Sequence, residues 1–232
     1  MMASRNSGGP IAESGFSLIE IAIVLVIVSL IVGGALGPLS GQIENSRRDH
    51  TTQTLDNVAT SLLGFAMASG RLPCPDVDGD GIEDPVSGAG GCNDDEGTLP
   101  FVTLSMEVDD AWHQNISYFV DEDYADDIDG TGCGSATPGV SFEICSQGDI
   151  TVLDAAVSGN VVAQNLPVVL LSRGKHWIDD RSDDERENTD NDRDLVHRTY
   201  SGVDGAEYDD IVRWISAPYI TAKMVDSGAL GS

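Results

Sequence analysis

The sequence predicts an α+β protein: a long N-terminal helix, transmembrane in its first half and amphipathic in its second, packed on a small antiparallel β-sheet head. Three observations predict it. Residues 16–36 are apolar throughout except for Ser17, Glu20 and Ser29. Beyond them Leu55, Val58, Ala59, Leu62, Phe65 and Ala66 recur at three- and four-residue steps, the stripe of a helix with one buried face. After residue 71 come short apolar or alternating runs separated by turn-rich loops, the pattern of a sheet.

The elements follow in order. Residues 1–15 form a polar leader carrying Arg5, whose charge places it on the cytoplasmic side of a membrane. Residues 16–38 supply about 20 apolar residues, the length needed to span a bilayer. Residues 39–70 form the amphipathic half, and Gly70 and Pro73 end it. Gly33, Gly34, Gly37 and Pro38 are weak points between the halves. The head, 71–232, reads as strands over 99–104, 116–120, 140–144, 150–153, 161–172 and 211–215, with a closing helix over 219–225. Pro167 argues for an edge or a break inside its run.

Composition narrows the function. Lys and Arg number 12 against 39 Asp and Glu, a formal charge of −27. Such a chain repels phosphate backbones, which excludes nucleic acid as a partner. The acids cluster with glycines in loops, which favours divalent metal over a basic protein. The four cysteines, Cys74, Cys92, Cys133 and Cys145, form no CxxC, and their even number reads as two disulfides with three connectivities. Sequence-local pairing, Cys74 with Cys92 and Cys133 with Cys145, would close two short acidic or Gly-rich loops. No catalytic constellation is evident. His50, His113, His176 and His197 are scattered, Ser172 and His176 lack a nucleophile elbow, and the expectation is a non-enzyme.

The sharpest motif of the head is Asp76-Val77-Asp78-Gly79-Asp80-Gly81-Ile82-Glu83-Asp84. Carboxylates at positions one, three and five converge on one point when Gly81 lets the chain turn. Ile82 can add its carbonyl, and Asp84 stands at position nine, as in the opening of a calcium loop. Position twelve is Ser87, so the bidentate acid of an EF-hand is missing. Cys74 and Cys92 bracket the loop. The acidic run 121–129 lacks a glycine turn and reads as a solvated loop.

The most informative residues are Gly15-Phe16-Ser17-Leu18-Ile19-Glu20. A carboxylate at membrane depth is costly and marks a functional site by default. This run resembles the type IV pilin and pseudopilin superfamily, whose leader ends in Gly and is followed by Phe-Thr/Ser-Leu-Ile-Glu and an apolar helix. The resemblance covers the N-terminal third. It implies cleavage after Gly15 by a prepilin peptidase, N-methylation of Phe16, and a subunit of a type IV pilus or type II secretion pseudopilus. The subunit would be held single-pass in the inner membrane with a periplasmic head. An inner-membrane assembly platform would then draw it among other subunits, where Glu20 pairs with the Phe16 amine of a neighbour. The alternative is a minor pilin whose acidic, calcium-binding head is an adhesive or ligand-binding module.

A second resemblance lies further on. The order 168–174, acidic loop, then Asp209-Asp210-Ile211 and Trp214 resembles the C-terminal region of major pseudopilins of type II secretion. It implies a second calcium site among Asp192, Asp194, Asp209 and Asp210, although Arg181, Arg186 and Arg193 in the same loop offer these acids ion pairs instead.

Overall fold

A computed structural model describes residues 17–88, 90–106, 109–179 and 182–230. Side chains 34–39 fall outside that description. The chain divides into two compact units, 1–45 and 46–232.

Helix α1, Leu18–Ser69, runs through the predicted weak points without a break in its assignment and ends before Gly70. In the first unit its apolar side chains, including Leu18, Ile19, Leu25, Leu30 and Ile31, are exposed. Among the described residues no helix is long and apolar enough to cross a membrane. That overturns the expected transmembrane half over 16–38 and the single-pass inner-membrane location drawn from it.

The second unit is α+β, as expected, and is built in three layers. The first is α1 from residue 46 onward with α4, Ala217–Ser227. The second is a four-stranded antiparallel sheet of β1 (Glu96–Thr98), β2 (Ser117–Val120), β5 (Val168–Ser172) and β7 (Ile211–Ile215), in the order β1-β2-β5-β7. The third is a smaller sheet of β3 (Ile150–Leu153), β4 (Val161–Leu166) and β6 (Asp194–Val196), ordered β4-β3-β6. Its β3–β6 pair is parallel, so the head is not one antiparallel sheet. Two short helices, α2 (Glu122–Ala125) and α3 (Asp183–Glu187), sit in the connections.

Strand β5 explains the layering. Val168 and Leu170 point into a core with Leu55, Val58, Leu62 and Ile220, whereas Val169 and Leu171 point into a second core with Ile150, Val152 and Leu195. A strand buried on both faces has no polar side, which is why its sequence is continuously apolar rather than alternating. Pro167, which has no amide hydrogen to give a ladder, stands between β4 and β5, and the chain changes sheets there.

Two expected strands are absent from the assignment. Residues 99–104 form turns, with the Leu104 amide returning to the Pro100 carbonyl at 3.0 Å. Phe101 and Val102 lie against Gly81, and Leu99 and Leu104 join the core under α1. Residues 140–144 are irregular; Phe142 is buried by stacking on Tyr124 at 4.5 Å between ring centroids. The closing helix is longer than its expected 219–225, because Pro218 takes a first-turn position where its missing amide costs nothing.

Candidate metal centres

The loop at residues 74–92 is assembled from both its ends. Cys74 and Cys92 form a disulfide with Cα atoms 5.3 Å apart. Antiparallel bridges join Asp76 to Thr98 and Pro85 to Cys92. Arg71, just past α1, holds Glu83 through two bonds of 2.7 and 3.0 Å, and the Cys74 amide donates to the same carboxylate at 3.0 Å. Glu83 is thereby spent on anchoring the loop. The second disulfide joins Cys133 and Cys145, Cα atoms 5.9 Å apart, so both pairings are the sequence-local ones.

Within this frame Asp76 is buried, and its two oxygens accept from the Gly79 amide at 2.7 Å and the Gly81 amide at 2.8 Å. Gly81 has φ +83°, and an added Cβ would stand 2.6 Å from the Phe101 ring, so both conformation and space demand glycine. Asp76, Asp78 and Asp84 each place a carboxylate oxygen within 4.8 Å of the others. Asp80 is not in that group. Its carboxylate accepts from the Ile82 amide at 2.8 Å, a local turn of the kind aspartate makes with the residue two ahead. Ile82 enters as this donor, with its side chain exposed. Asp84 accepts from the Val77 and Asp78 amides at 2.8 and 3.3 Å, which folds the loop back on itself.

The second expected set is divided. Asp209 and Asp210 precede β7, whereas Asp194 opens β6 in the other sheet. Asp192 groups with Glu187 and Asp190, and it accepts from the Asp194 amide at 2.8 Å. Asp210 accepts from the Asn188 side chain at 2.7 Å. Asp209 turns instead toward His176, Nδ1 to Oδ2 3.1 Å. The arginines do engage carboxylates, but others than these: Arg186 pairs with Asp183, and Arg193 with Asp149 and Asp95. Arg181 lies outside the described residues.

The run 121–129 is more than a solvated loop. Asp121 caps α2 by accepting from the Asp123 amide. Asp126 is buried and accepts from Ser141 Oγ at 2.6 Å and Thr131 Oγ1 at 2.9 Å. Burial, reinforced by the neighbouring Asp149, pushes the Asp121 carboxyl up to about 7. Ser172 gives its hydroxyl to Asp110 Oδ2 at 2.7 Å, not to His176.

Glu20 lies in the first turn of α1, exposed. The predicted cleavage and methylation residues, Gly15 and Phe16, lie outside the described residues. Acidic groups that can hold a metal ion are therefore present at several places in the head. No family model, curated protein or solved structure matches the chain.

Proposed function

We propose that the chain is a prepilin-type structural subunit of a type IV pilus or type II secretion pseudopilus. In this reading a prepilin peptidase cuts after Gly15, Phe16 becomes the N-methylated terminus, and the subunit joins a helical filament through α1. The observation that carries it is the run Gly15 to Glu20 leading directly into a helix whose apolar side chains over residues 18–32 are exposed. A surface of that size and polarity calls for a partner. Bundled copies of the same helix would cover it, and Glu20 would balance the Phe16 amine of an adjacent copy, two buried charges tolerable only as a pair.

The head would serve the filament with calcium as a structural ion held by Asp76, Asp78 and Asp84. All three are hard oxygen donors, and the pre-closed disulfide loop lowers the ordering cost of gathering them. The acidic groups of the head also favour a second reading, a minor subunit whose head is an adhesive or ligand-binding module. Abundance separates the two: a main subunit dominates sheared filaments and a minor one is scarce.

The test of the prepilin reading is processing. Co-expressed with an active prepilin peptidase, the chain should lose residues 1–15 and gain one methyl group by intact mass. Gly15→Val should keep its leader, because the peptidase must approach that backbone closely. An intact leader on the parent chain beside an active peptidase refutes the assignment.

A further inference from the structure

We propose that His176, Glu185 and Asp209 form a site for a divalent transition-metal ion of the zinc class, separate from the Asp76 loop and independent of filament assembly. The three residues come from three segments. His176 ends the 3-10 turn Gly174–His176 that follows β5, Asp209 lies two residues before β7, and Glu185 lies on α3. Antiparallel pairing of Ser172 with Ile211 brings the exit of β5 and the entrance of β7 to one end of the sheet. Ser182 caps α3 by accepting from the Glu185 amide, which fixes the helix carrying the third residue.

One ligand atom from each of the three lies within 4.8 Å of the other two. Asp209 and Glu185 are each 1% exposed. Asp209 Oδ2 accepts from the Lys175 amide at 3.0 Å, while Oδ1 has no hydrogen-bond partner. His176 Nδ1, although 3.1 Å from Oδ2, makes no hydrogen bond either. A buried carboxylate oxygen and a buried imidazole nitrogen in one cluster, both without a hydrogen-bond partner, are costly unless a further group satisfies them. Gly174 has φ +57°, and a Cβ there would stand 2.7 Å from both Asp209 Oδ1 and the Asp209 backbone oxygen, so only glycine lets the turn carrying His176 pack this closely on Asp209.

The two carboxylates are held together: Glu185 accepts from the Asp209 amide at 3.1 Å. Arg48 reaches Asp209 from α1, bonding its backbone carbonyl at 2.6 Å and stacking over Tyr200. A cation between His176, Glu185 and Asp209 would satisfy both unpaired atoms and separate two buried carboxylates. One imidazole and two carboxylates are a donor set for zinc, manganese or iron, whereas calcium takes oxygen throughout. Three protein ligands leave a tetrahedral ion one position for water. The Lys175 amide on Oδ2 supplies the orienting outer contact such ligands need.

The experiment uses the full chain, freed of metal with chelator and titrated with Zn²⁺ against a competing chromophoric chelator. The parent should bind zinc with an affinity that drops at least tenfold in His176→Ala but is kept in Asp78→Asn and in the double variant Asp190→Asn/Asp192→Asn. Melting in chelator controls for folding of each variant. Should His176→Ala fail to fold, X-ray absorption of the zinc-loaded parent decides: one imidazole with oxygen ligands supports the site, and oxygen ligands alone overturn it. No zinc bound by the parent, or equal affinity in a folded His176→Ala, also overturns it. Loss confined to the Asp190→Asn/Asp192→Asn variant does the same.

Discussion

Ser17 and Glu20 cap each other at the start of α1. The Ser17 hydroxyl accepts from the Glu20 amide at 3.2 Å, and the Glu20 carboxylate reaches back to the Ser17 amide at 3.5 Å. Ser-Leu-Ile-Glu is thus a capping box, which satisfies two of the four amides that a helix start leaves without partners. The carboxylate proposed to meet a neighbour's amine also has work within its own chain.

Glutamine separates the two roles, because it can close a capping box but carries no charge. Glu20→Gln should keep the helix start and still be scarce in sheared filaments. Glu20→Ala should lose both, with about 1 kcal/mol less helix stability. Normal incorporation of Glu20→Gln would mean that the charge is not an assembly contact.

Calcium at about 100 times its Kd should stabilise the head by about 2.7 kcal/mol. Asp78→Asn or Asp84→Asn should remove most of that gain. Asp80→Asn should keep most of it, since Asp80 stands outside the group that Asp76, Asp78 and Asp84 form. Thermal melting with calcium and with chelator provides the comparison, and identical curves for the parent would exclude a structural calcium ion.

The Cys74–Cys92 link should matter to the same loop. Replacing both with serine should cost about 3 kcal/mol through the freed loop entropy. Calcium affinity should fall as well, because Asp76 and Asp84 lie inside the loop it closes. Denaturant titration and calcium titration of the variant check the two effects separately.

Asp121 should impose a pH dependence. Its native pKa of about 7 exceeds the ordinary carboxylate value, so the native state binds the proton more tightly than the unfolded state. The stabilisation is full below about pH 4 and is lost as pH rises to about 7. Asp121→Asn imitates the protonated form and keeps the cap. It should match the parent at pH 4 and melt roughly 3 °C higher at pH 8. Parallel pH profiles would show that Asp121 is not the group responsible.

Legibility in the sequence followed locality. Strands β3 and β7 have the bounds their apolar pattern gave, and the break at Pro167 is a property of that one residue. β1 was hidden because Glu96-Gly97-Thr98 has no apolar signal; it is an edge strand held by its neighbour β2. β6 lies inside an acidic stretch and gains its place from β3, a pairing over a long loop. The same rule governs the sites. Asp76, Asp78 and Asp84 could be named because nine residues contain them. Glu185 could not, because only the folded sheet end brings α3 beside residues 176 and 209. Asp121 and Asp126 looked solvated because nothing in their own run announces Ser141 or Asp149.

The two-faced burial of β5 has a consequence for how the head comes apart. Its alternate side chains belong to different cores, so neither the helical layer nor the small sheet can detach without baring one side of the same strand. Local opening at the rim leaves β5 covered, and its amides exchange with solvent only when the whole head opens. The strand is therefore the place where the global unfolding free energy can be read directly, residue by residue, and where a perturbation in either layer is felt by the other.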